Sequence, residues 1–266
     1  MYRSSMRPGT RLEPPTFARM AADPLRWRLV QELALSDRRV RELVTLIGQP
    51  QNLISYHLGR LRASGMVTAR RSSFDGRDTY YHLDLGRCAQ LLTEAGATLH
   101  PGLALDPPFV TAAETPGTAS YTALFLCTGN SARSQVAEAL SRVHSGGRVQ
   151  GFSAGSQPKP LHPDAVRVMA ARGVDIAGQQ SKHLSVFAQR HFEYVITLCD
   201  KVREVCPPFS GDPTHIHWSI PDPNAPGGGY AAFELMAAEI ETRVTFWLAA
   251  IGVALSPFGQ ESVQEA

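Results

Sequence analysis

The chain has 266 residues, 43% of them hydrophobic and 19% charged, which is enough to bury the cores of two ordinary domains. Its formal net charge of +2 hides a local imbalance, because from Phe17 to His100 twelve Arg stand against eight Asp or Glu. No apolar run reaches the ~18 residues of a membrane span and MYRSSMRPGT lacks a signal-peptide core, so a cytoplasmic protein with no membrane partner is expected; four cysteines exclude a disulfide scaffold.

Composition shifts divide the chain. Residues 1–16, rich in Arg and Pro, read as a disordered arm, and 17–100 as a small first domain. Residues 101–118 mix proline, glycine and small residues without a period and read as a linker, 119–251 as a larger second domain, and 252–266 as a frayed tail.

In the first domain, DPLRWRLVQELA from Asp23 predicts a helix with Leu25, Leu29, Val30 and Leu33 on one face. RVRELVTLIG predicts a second helix that stops at Gly48. QPQNLISYHLGRLRASGMV predicts a third, with Leu53, Leu58 and Leu61 inward and Gly65 as its stop. Two alternating strands then flank the Asp75-Gly76 hairpin signal. Helix, helix, polar-faced helix and basic hairpin is the order of a winged helix-turn-helix, mainly α with a β-hairpin wing. The third helix offers Gln51, Asn52, Ser55, Tyr56 and Arg60 to base edges, while Arg62, Arg70, Arg71 and Arg77 suit phosphate contacts, so double-stranded operator DNA is the expected partner.

Through QNLISYHLGRLRASGMV and the wing, residues 17–99 resemble the ArsR family of dimeric winged-helix repressors. The resemblance implies a homodimer formed by this domain. The family's commonest metalloid site is a cysteine pair before the recognition helix, where this chain reads LALSDRRVRELV without a cysteine. Cys88 is the domain's only thiol and is read as a small buried hydrophobe, His57 as a packing residue or phosphate contact.

In the second domain, strands predicted at YTALFL, VQGFSAGS, HFEYVITLC and THIHWSIPD alternate with helices, ending in the helix from Tyr230. This order implies a three-layer α/β fold with a parallel sheet and chemistry at the strand ends. Cys127 opens CTGNSARS at such an end. A backbone wrapped from Cys127 through Thr128, Gly129, Asn130, Ser131 and Ala132 to Arg133 and Ser134 can aim N–H groups at one tetrahedral oxyanion. Arg133 adds a bidentate fork, the loop's positive field favours the charged nucleophilic form of Cys127, and the Ser134 hydroxyl is within reach of its sulfur. Cys199 and Cys206, seven residues apart, mark a second thiol pair.

The loop, with Asp222-Pro223 far downstream, resembles the low-molecular-weight protein tyrosine phosphatase fold. In that fold such an aspartate protonates the leaving oxygen. TLCDKVREVCP, Ser153-Ala154-Gly155 and HWSIPDP resemble, more narrowly, the thioredoxin-coupled arsenate reductases. That resemblance implies arsenate as substrate, a relay through Cys127, Cys199 and Cys206, no tightly bound cofactor or metal, and thioredoxin or an equivalent dithiol as reductant. Some relatives hold potassium at positions matched by Asn130, Glu138 and Ser153, but Lys182 replaces an expected Asp, so its ammonium is expected in place of the ion and no potassium requirement is expected. Two other readings stand beside an arsenate reductase fused to an arsenic-responsive regulator: a regulator whose second domain only senses oxyanion or redox state, and a phosphatase fused to a DNA-binding domain. His215 and His217 are read as structural.

Overall fold

The computed structural model describes residues 13–74, 76–103 and 120–256. Most of the expected arm and linker, Asp75 of the hairpin signal, and 257–266 of the expected tail lie outside them. Helix α1 (Thr16–Ala21) leads into α2 (Pro24–Leu33). The Asp23 carboxylate fixes the start of α2 by accepting from the N–H groups of Leu25 and Arg26 at 3.0 and 2.9 Å. Strand β1 (Arg38–Arg39) precedes α3 (Val40–Ile47), which closes on Gly48 at φ +72°. Helix α4 (Gln51–Ala63) buries Ile54, His57, Leu58 and Leu61, one stripe of a 3.6-residue period. Leu53, expected inward, is exposed, and Ile54, about 100° further round the helix, takes its place.

The wing consists of β2 (Val67–Arg71) and β3 (Thr79–Leu83), antiparallel, with β1 on the other side of β3. Helix α5 (Leu85–Leu99), capped by Asp84, completes the first domain; α1, β1 and α5 add to the elements expected from the sequence. Cys88 is buried in this core, and burial pushes its thiol up to about 12.

In the second domain β4 (Tyr121–Cys127) precedes α6 (Arg133–His144), β5 (Val149–Gly155) and α7 (Pro163–Ala170). Strand β6 (Tyr194–Thr197), helix α8 (Asp200–Val205), strand β7 (Thr214–His217) and helix α9 (Gly229–Ala250) follow. The four strands are parallel in the order β5-β4-β6-β7, and β4 is buried from Ala123 to Cys127, as a strand covered on both faces must be. The chain reverses its direction of travel across the sheet between β4 and β6. A crevice therefore opens at their carboxyl ends, where Cys127 and Cys199 lie. The start of the expected tail is packed: Val253 is buried, and Ser256 N–H donates to His144 O at 2.8 Å.

The two domains share a polar interface. Asp37, just before β1, is buried and accepts from Arg243 of α9 at 2.9 and 3.2 Å and from Ser219 N–H at 2.7 Å. Burial pushes its carboxyl up, but Arg243 and His82 outweigh that and hold it well below the usual carboxylate range. The Asp37 N–H donates to His217 O at 2.7 Å and the Trp218 indole N–H to Leu35 O at 3.1 Å, so the chain before β1 runs along the end of β7.

Candidate active site and nucleic-acid interface

Between Cys127 and Arg133 the loop's carbonyls are tied outward. Thr128 O, Gly129 O and Ser131 O accept at 2.8 Å from the N–H groups of Gln157, Lys159 and His162. Asn130 O accepts from the Gln135 side chain at 3.0 Å and the Ser181 hydroxyl at 2.7 Å. In a trans peptide the C=O of one residue and the N–H of the next point in opposite directions, so the N–H groups of Gly129, Asn130, Ser131 and Ala132 turn away from those anchors. That of Asn130 reaches Cys127 Sγ at 3.2 Å. The result is a socket of donors at the start of α6, beside a sulfur that also lies 3.0 Å from Ser134 Oγ.

Asn130 bends the loop at φ +43°, a left-handed conformation that its side chain helps to hold: Nδ2 donates to Ser134 Oγ and Ser153 Oγ at 2.9 Å, and Oδ1 accepts from Lys182 N–H at 2.7 Å. The expected ammonium substitution is corrected here. Lys182 Nζ donates to Gln180 O at 3.0 Å on the surface, and the cation beside Glu138 is Arg142, at 2.9 Å.

Arg133 donates to Ile220 O at 3.0 Å and lies 3.5 Å from the Asp222 carboxylate, which brings the downstream aspartate to the mouth of the loop. Asp222 is half exposed. Cys199, buried at the end of β6, lies 3.3 Å from Thr128 Oγ1. Burial raises its thiol against the pull of Arg133. Cys199 caps the start of α8 and Cys206 its end. At 1.5 Å of rise per residue the pair is roughly 10 Å apart, beyond the ~7 Å that a disulfide spans between Cα atoms. Cys206 is part-exposed, with burial pushing its thiol up to about 11.

Asp200, the first residue of α8, is a member of the site that sequence reading missed. Its carboxylate takes His217 Nε2 at 3.1 Å, the Ser219 hydroxyl at 2.7 Å, and the N–H and hydroxyl of Ser73 in the wing at 2.6 and 2.9 Å. Burial pushes this carboxyl up, yet the hydrogen bonds prevail and hold it at about 2. His217 is buried, and burial lowers its pKa. The signal for this network lies only in the β7 pattern of apolar and polar residues, which does not name partners.

On α4, Gln51, Asn52, Ser55, Tyr56, Arg60 and Arg62 are all exposed, on the faces opposite its buried stripe, while His57 is buried 3.7 Å from Asp23 as a packing residue. Arg71 is exposed and donates to Gly76 O at 3.0 Å, and Arg77 is exposed nearby. Arg70 corrects its expected role: its guanidinium donates to Ser219 O and lies 3.6 Å from Glu239, so in this conformation it holds the second domain rather than facing a phosphate.

Residues 23–69 match the bacterial regulatory protein arsR family, and 122–256 match the low molecular weight phosphotyrosine protein phosphatase family. An arsenate reductase of Brevibacillus brevis is 36% identical over 123 residues, which are 46% of this chain and 90% of that protein. One of Halalkalibacterium halodurans is 34% identical over 45% of this chain and 89% of its own length. Among solved structures, an arsenate reductase from Archaeoglobus fulgidus is 26% identical over 48% of this chain and 98% of its own, with a TM-score of 0.42. The second match alone spans just over half of the 266 residues, and the chain therefore belongs to the low molecular weight phosphotyrosine protein phosphatase family, with an arsR-type helix-turn-helix ahead of that domain.

Proposed function

We propose that the chain reduces arsenate to arsenite through three thiols and carries, in the same polypeptide, an ArsR-type DNA-binding regulator. The observation that carries this reading is the placement of sulfur. Cys127 faces the donor socket, Cys199 touches Thr128 of the same loop, and Cys206 waits at the far end of a single short helix. A phosphate-ester hydrolase needs the first of these and has no use for the other two.

Arsenate, tetrahedral and anionic, binds the loop N–H groups and Arg133. Cys127 Sγ attacks arsenic, and an oxygen leaves as water with a proton from Asp222. Cys199 then attacks Cys127 Sγ: the sulfur–sulfur bond forms, the sulfur–arsenic bond breaks, and its electron pair stays on arsenic, which leaves as arsenite. Cys206 attacks Cys199 and frees Cys127. An external dithiol, thioredoxin or an equivalent, reduces the remaining Cys199–Cys206 disulfide by the same exchange. The N-terminal domain binds operator DNA through α4 and the wing, as a homodimer.

A steady-state assay with arsenate, thioredoxin and its reductase tests the reading. Turnover should vanish in Cys127→Ser, Cys199→Ser and Cys206→Ser, while hydrolysis of p-nitrophenyl phosphate is lost only in the first. Thioredoxin-dependent turnover that survives Cys199→Ser ends the relay. A wild type that hydrolyses the ester but never reduces arsenate is a phosphatase, and one that binds arsenate without either reaction is a sensor.

A further inference from the structure

The helix between Cys199 and Cys206 is one of the segments of the second domain that the first domain holds, together with His217 to Ser219 and Arg243. Asp200 is bound by Ser73, Arg203 pairs with Glu42, and Glu204 lies 2.6 Å from Arg39 and 3.2 Å from the Tyr80 hydroxyl. Three of the six residues of α8 are thus tied to the wing, to β1 or to α3. The same helix cannot persist when the cysteines at its two ends join, because their separation of roughly 10 Å must shrink below ~7 Å. Meanwhile Arg70 of the wing spends its guanidinium on Ser219 O, in the segment adjoining the Asp200 network, and on Glu239 of α9. A guanidinium so engaged cannot also offer its fork to a DNA phosphate. The first domain holds a single thiol, Cys88, and that thiol is buried, so it offers no metalloid-binding cysteine pair of its own.

We propose that the regulator takes its input from the oxidation state of Cys199 and Cys206: with both thiols reduced, α8 latches the wing to the second domain, and the Cys199–Cys206 disulfide unwinds α8, releases the wing and frees Arg70 for DNA. In the switching step two thiols lose two protons and two electrons and one sulfur–sulfur bond forms. During turnover those electrons end on arsenic, and the external dithiol resets the latch. The inference rests on the relay for its natural oxidant, but the latch itself needs only the disulfide.

The test therefore uses full-length Cys127→Ser protein, which cannot turn over arsenate, oxidised with diamide and compared with its dithiothreitol-reduced form, the Cys199–Cys206 linkage being verified by peptide mass mapping. Hydrogen exchange should accelerate at least about tenfold at the N–H groups of Ser73 and Asp37, both tied across the interface, while the α4 core stays protected. Binding to a labelled mixed-sequence duplex should tighten on oxidation, with a salt slope steeper by about one ion for the added arginine. A reduced double variant, Arg203→Ala with Glu204→Ala, which removes the ties to Glu42, Asp37 O, Arg39 and Tyr80, should reproduce the fast exchange at Asp37 without any disulfide. Unchanged exchange and unchanged duplex binding with the disulfide confirmed overturn the latch, as does failure of the pair to form a disulfide at all. The first result leaves arsenate reduction by the wild type untouched, whereas the second counts against the relay as well.

Discussion

At residue 155 an added Cβ would lie 2.6 Å from Thr128 O and 2.8 Å from Asn130 N, so the backbone of the anion loop rests directly on a glycine of β5. Gly155→Ala should displace the loop's donors by a fraction of an ångström to an ångström and lower arsenate turnover about 100-fold, read as kcat, with the fold retained by circular dichroism. Turnover within about threefold of wild type would show that the contact does not set the socket's geometry. Cys88 carries the opposite expectation: buried in the first domain's core, it belongs to no step of the relay. Cys88→Ala should leave turnover unchanged, and loss of reduction would mean a fourth thiol takes part. The loop residues were legible in the sequence because an anion socket is built from consecutive peptides, so spacing alone carries its geometry. Arg70 was not legible in the same way. A guanidinium fork suits a carbonyl and a carboxylate as well as a phosphate, and only the fold decides which it meets.

Helix α8 draws its position from Asp200, whose carboxyl is held at about 2 by His217, Ser73 and Ser219 despite burial. A carboxylate depressed in the folded state adds stability above its ordinary value near pH 4, and that stability is lost as pH falls through about 2. Urea unfolding should therefore show wild type losing about 2 kcal/mol more than Asp200→Asn between about pH 5 and 2, and parallel acid profiles would refute the assignment. At this scale the sequence revealed most strands and helices through their apolar periods. It was weakest at α5, which buries only Cys88 and Leu91, and so offers little periodicity to read. The two cysteines bounding α8 were legible from their spacing, whereas the Asp200 partners come from β7 and from the wing and have no local signature.

Across the whole molecule, the two domains meet through the buried pair of Asp37 and Arg243, separated by more than half the chain. No local pattern reports a contact of that range, and a proline- and glycine-rich linker by itself fits independent modules equally well. Removing one partner leaves a buried charge uncompensated, so Arg243→Ala should cost about 3–5 kcal/mol in urea unfolding. A loss below about 1 kcal/mol would mean the domains do not depend on this pair. Among the described residues no helix is long and apolar enough to cross a membrane.

The relay is tested most directly by stopping it before its last exchange. Full-length Cys206→Ser protein, given one equivalent of arsenate, quenched in acid, alkylated and digested, should yield one arsenite per chain and a peptide pair joined through Cys127 and Cys199. Arsenite released with both of those residues alkylated, or with the linkage at Cys88, would contradict the account.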